Sequence, residues 1–176
     1  MRIRLAAAIA ALAIAAASCG ADTEAPSVAR EVGPVPVPAG EVVLTVSGAV
    51  DQPNVGDEVH ADLEGLESLG TVDVVIFEPF ISEEVMFTGV PLETVLHSFG
   101  VDAATPLVWR ALDSYEVNYS LADLEGEGAI LATRQDGGPI GIADGGPIRI
   151  IFTESDGELG QNTNEWIWSL AHVDVG

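Results

Sequence analysis

Cys19 is the only thiol in a chain of 176 residues, so no internal disulfide can form, and any thiolate–metal chemistry would rest on this one sulfur. His60, His97 and His172 lie far apart and show no ligand spacing, so nothing points to zinc. The basic residues number six, all arginine. Arg110, Arg134 and Arg149 are the ones a folded domain could turn towards an anionic ligand. Arg149 sits inside the apolar run Ile148 to Phe152, either as an anion anchor or, the favoured reading, as partner to a carboxylate. Trp166 and Trp168 are two apart and share one strand face, as an aromatic platform or, more simply, as core. Tyr115 and Tyr119, on one face of a strand, carry the same pair of readings. Glu154, Asp156, Glu158 and Asn162 could offer calcium hard oxygen ligands. They lack the ordered spacing of an EF-hand, so a solvated acidic hairpin is the plainer account. No Gly-x-Ser-x-Gly turn and no glycine-rich phosphate loop occur.

Charge narrows the function classes further. Acids number 28 and the formal net charge is −22. Such a surface repels phosphate backbones, which excludes nucleic-acid binding by electrostatics. Solubility in salty surroundings or attraction to a cationic partner remain, and the scattered placing of the acids favours the first.

The elements that must position these residues begin after an N-terminal leader. Met1-Arg2-Ile3-Arg4 is positive, and Leu5 to Ala17 is an unbroken apolar run of 13 residues. A membrane-spanning helix needs about 20, so this pattern reads as a secretory signal peptide. Ala16-Ala17-Ser18-Cys19 resembles the lipobox of bacterial lipoproteins, although Leu is commoner where Ala16 stands. The resemblance implies diacylglycerol on Cys19 and a domain held outside the cytoplasm, in the cell envelope. The expected organisation is a signal peptide over 1–18, a Pro/Ala-rich tether over 19–40 and one domain over 41–176. The tether holds too little large apolar material to fold, and Val35-Pro36-Val37-Pro38 is expected to be extended.

Within the domain, Val42 to Val46, Thr71 to Phe77, Leu107 to Leu112, Glu116 to Tyr119, Ile130 to Thr133, Ile148 to Phe152 and Trp166 to Val175 read as strands. Asp62 is placed to cap a short helix carrying Leu63, Leu66 and Leu69. Pro91 opens a second helix, whose buried stripe is Leu92, Val95, Leu96 and Phe99 and which Gly100 ends. Asp136-Gly137-Gly138-Pro139-Ile140 recurs as Asp144-Gly145-Gly146-Pro147-Ile148, predicting two turns around a short strand. Strands dominate, so the class is α+β with mixed, mostly antiparallel sheets.

The order of segments resembles the molybdopterin-binding domain of the sulfite oxidase family, including its small periplasmic members. The segments are Val46-Ser47-Gly48-Ala49-Val50, the Leu63/Leu66 helix, Phe87-Thr88-Gly89-Val90-Pro91-Leu92, Ala111-Leu112-Asp113-Ser114-Tyr115, Gly145-Gly146-Pro147-Ile148-Arg149-Ile150-Ile151 and Trp168-Ser169-Leu170-Ala171-His172-Val173. The resemblance covers Val42 to Val175. It implies a metal bound through the pterin and one Cys, and a gapless count back from Gly89 puts that Cys near Phe77. Residues 76–84 contain no Cys. The family's basic residues for the pterin phosphate correspond to residues 153–162, which hold acids and no base; carboxylates there repel a phosphate. The expectation is therefore an envelope lipoprotein with a non-catalytic domain that binds a small molecule or an envelope protein, with no cofactor. The alternative is a molybdopterin-dependent oxidoreductase without a Cys ligand. The cleft is expected at Phe77, Glu78, Phe80, Ser82, Tyr115 and Arg149, between the Phe77–Glu84 loop and the Gly137–Gly146 turns.

Overall fold

The computed structural model describes residues 32–154 and 157–176. Cys19, the signal segment, most of the tether and Asp156 lie outside the described residues.

Two five-stranded sheets make up the domain. The first contains β1 (Leu44–Gly48), β2 (Val59–Ala61), β5 (Leu107–Ala111), β6 (Glu116–Asn118) and β10 (Leu170–Val175) in the order β2-β1-β10-β5-β6. β1 and β10 run parallel, with Thr45 opposite His172, and the other pairs are antiparallel. The second contains β3 (Val72–Glu78), β4 (Glu83–Pro91), β7 (Ala129–Gln135) and β8 (Gly138–Pro139) in that order, with β9 (Arg149–Phe152) also on β7. All its pairs are antiparallel, so the α+β reading with mostly antiparallel sheets holds.

Helix α1 (Leu63–Glu67) starts where the sequence predicts. One Asp62 carboxylate oxygen accepts the Gly65 N–H at 2.7 Å, and the other accepts Ala39 and Gly40 N–H at 2.8 and 2.7 Å. The chain before the first strand is thereby pinned to the helix start, and Val35, read as tether, is buried in the core. Helix α2 (Leu92–Phe99) buries the expected stripe and ends at Gly100. That glycine adopts φ 71, and a Cβ there would sit 2.7 Å from the Asp51 side chain. Pro91 precedes α2 rather than opening it, because it is also the last residue of β4.

Three expectations need correction. The Phe77–Glu84 segment, read as a loop, instead ends β3 and begins β4, and residues 83–91 form the longest strand among the described residues; Val85 and Phe87 turn inward while Glu84 and Met86 turn out. Trp166 and Trp168 are not on a strand, because β10 begins at Leu170 after Ser169 takes a positive φ of 49. The repeat does not flank a short strand. Asp136 and Gly137 make the turn of the β7–β8 hairpin, whereas Ile142–Asp144 is a 3-10 turn.

Candidate functional site

Glu78 ends β3 pointing inward, since alternation places Ile76 and Glu78 on the buried side. Its side chain and that of Arg149 are each 2% exposed, and Arg149 donates from Nη2 to Glu78 Oε1 at 2.7 Å. Glu78 Oε2 accepts the Phe80 and Ile81 amides at 2.8 and 2.9 Å. The carboxylate thus orders the turn between β3 and β4 while neutralising a buried cation. Arg149 Nη1 donates to the Asp144 carbonyl at 3.2 Å. Burial lowers the Arg149 pKa, and the Glu78 hydrogen bond and the charges of Glu78 and Asp144 oppose that.

Trp168 covers this pair. Its segment is held against the start of β9: Ile150 N–H donates to the Ile167 carbonyl at 3.0 Å, and Leu170 N–H to the Ile148 carbonyl at 3.0 Å. The indole therefore faces Arg149, with the guanidinium carbon 4.3 Å from its ring centre and 5.5 Å from that of Phe87. Gly145, at φ 86, lies so close that a Cβ would meet the indole at 2.8 Å. Two buried donors of this stacked pair, Arg149 Nε and Trp168 Nε1, have no hydrogen-bond partner among the described residues. Buried N–H groups are nearly always paired, so this doublet calls for an acceptor.

Phe80 leans edge-on against Trp168 and Trp166, with centroids 5.1 and 6.4 Å away. Beside them opens a hollow of 310 Å³ lined by Phe80, Asp113, Tyr115, Asn164, Trp166 and Trp168. Tyr115 donates its hydroxyl to the Asn164 carbonyl at 2.8 Å. Of the six residues expected at the cleft, Phe80 and Tyr115 line this hollow, while Glu78 and Arg149 form the buried pair next to Trp168 and do not line it. Phe77 does neither, because it faces out on the opposite side of β3 and is 63% exposed. Ser82 is exposed in the turn at φ 59, and only its amide engages Glu78. The Gly137 turn is not part of the lining, while Gly145 contributes through Trp168. Tyr119 is separated from Tyr115: it is buried against Trp109, and burial raises its pKa well above the ordinary value.

The other two arginines of the domain are committed elsewhere. Arg110 pairs with Glu116 and Asp174, and Arg134 with Glu67. Each arginine among the described residues therefore already has a carboxylate. In the stretch expected to repel phosphate, the Glu158, Leu159 and Gly160 amides are taken by the Glu127 carboxylate. No group of three or more His, Cys, Asp or Glu side chains suited to a metal occurs among the described residues. A larger groove of 860 Å³ runs past Val42, Leu112, Ile142 and His172, away from the ion pair.

A family model described as oxidoreductase molybdopterin binding domain matches residues 71–171. No curated protein matches the chain. The family match points to a molybdopterin cofactor and overturns the expectation that the domain takes none. The residues do not fit the thiolate-ligated metal of that cofactor, however. The inward position at the end of β3 holds Glu78, whose two oxygens are already bonded to Arg149, Phe80 and Ile81. Residues 76–84 supply no sulfur. What the site does offer is an unpaired N–H doublet and aromatic walls, which suit a flat, acceptor-rich molecule.

Proposed function

Because the chain belongs to the oxidoreductase molybdopterin-binding domain family, we propose that it is a non-catalytic ligand-binding member, holding a molecule of the pterin class without a protein–metal bond. One observation carries this reading: residues 76–84 supply no sulfur, and the inward carboxylate at the end of β3, Glu78, is consumed by Arg149 and two backbone amides. A soft metal prefers sulfur, and a carboxylate locked in a buried ion pair is both hard and unavailable. The Arg149 Nε and Trp168 Nε1 donors, with Phe80 and Tyr115 beside them, support a bound aromatic heterocycle. On this reading the domain works in the cell envelope, tethered through lipidated Cys19.

Pterin content tests the reading. Protein purified from a molybdopterin-making host should release pterin, measured as its fluorescent oxidation product. Trp168→Phe, which removes one donor, should retain much less at an unchanged unfolding midpoint. A pterin-free wild type, or equal retention by both proteins, contradicts the proposal. For the tether, Cys19→Ser should abolish fatty-acid labelling and release the protein from membranes; continued labelling would contradict lipidation at that sulfur.

A further inference from the structure

The free edges of the two sheets differ in how they are guarded. β2 and β6 are three residues each, too short to template another strand. β3 runs for seven residues, pairs with β4 without a register break and, among the described residues, has no neighbour on its other side. Natural edges of that length are usually interrupted by a bulge, a proline or an outward lysine. β3, Val-Asp-Val-Val-Ile-Phe-Glu, has none of these.

Its outer face is apolar as well. Val75 lies opposite Met86 and Phe77 opposite Glu84, and Val75, Phe77 and Met86 are 64, 63 and 39% exposed. Asp73, Glu84 and Asp136 flank this patch, and none forms an ion pair among the described residues. Arg134, opposite Thr88 on β7, is held by Glu67 through two hydrogen bonds. A second copy of the chain would bring the same acids face to face, which disfavours self-pairing.

We propose that β3 is a docking edge for an extended segment of a cationic partner protein. The segment adds as a strand beside β3, its apolar side chains cover Val75 and Phe77, and its Lys or Arg residues meet Asp73, Glu84 and Asp136. Backbone pairing supplies affinity and the acidic rim selects the sign of the partner. This inference does not rest on the pterin reading, because Phe77 and Val75 face away from the Glu78–Arg149 side.

The test uses the full-length protein and a short synthetic peptide of alternating valine and threonine with lysine at both ends. Binding should protect the Val72–Glu78 amides from hydrogen exchange and weaken as salt rises. Replacing lysine by glutamate, or methylating alternate peptide nitrogens, should each weaken binding by about tenfold or more. The double variant Val75→Lys/Phe77→Lys should lose binding at an unchanged unfolding midpoint. Absence of binding, equal affinity for the glutamate or methylated peptide, or β3-dependent self-association of the protein alone would each overturn the proposal.

Discussion

Phe77 and Glu78 are neighbours in sequence and belong to opposite sides of the β3–β4 hairpin. The inner side carries a carboxylate, Glu78, buried against Arg149 beneath Trp168. The outer side carries Phe77 and Val75, exposed to solvent with acids around them. Strand alternation alone assigns these roles, and a shift of one residue exchanges them. A residue count from a distant motif, uncertain by one position, therefore leaves the face undecided: Phe77 points out and Glu78 points in. The buried polar group fixes the turn that carries Phe80 to the hollow, and the exposed apolar group is left at the surface.

Substitutions can break that contrast, and the largest effect belongs to the inner side. Arg149→Met strands Glu78 without its cation and should cost about 3–5 kcal/mol in urea unfolding. Adding Glu78→Gln removes the orphan charge yet keeps an acceptor for the Phe80 and Ile81 amides, so the double variant should recover much of the loss. Asp62 sharpens the comparison, being a buried carboxylate satisfied by amides instead of an arginine. Asp62→Ala should cost about 2 kcal/mol. The Gly40 and then the Gly65 amide lower the Asp62 pKa, against the opposing effect of burial. With the folded value below the unfolded one, this stability is complete above about pH 3.9. It is lost as pH falls through the folded value, so wild type and variant should converge in acid. Phe80→Ala, removing the half-exposed ring that leans on both tryptophans, should cost about 1 kcal/mol. On the outer side Phe77→Thr should change stability by no more than about 0.5 kcal/mol.

Much of the fold was legible because its signals are local. Asp62 before an apolar helical stripe, Gly100 after another and β-branched runs between glycines each found their element. The β4 strand was missed although Val85 and Phe87 alternate with Glu84 and Met86, because its start fell in the acidic Phe77–Glu84 segment read as a loop and its end in the lead into the Pro91 helix. The two copies of Asp-Gly-Gly-Pro-Ile mark the limit of local reading. One closes a hairpin, and the other follows a 3-10 turn with its Gly145 under the Trp168 ring. At the site, Arg149 inside an apolar strand forecast a carboxylate partner but not which one. Glu78 lies 71 residues away, and only the sheet pairing brings the two together. The placing of Trp168 over Arg149 depends on hydrogen bonds that Ile167 accepts from Ile150 and Leu170 donates to Ile148, for which the sequence carries no pattern.

On the proposed reading this member of the family binds without turning over, since Glu78 is committed to Arg149 and no sulfur stands at the end of β3. The most direct measurement is molybdenum per chain together with dye-linked oxidoreductase turnover, on wild-type protein from a host that makes the cofactor. Retained pterin with no turnover above buffer is the predicted result. One molybdenum per chain with sustained turnover would contradict it.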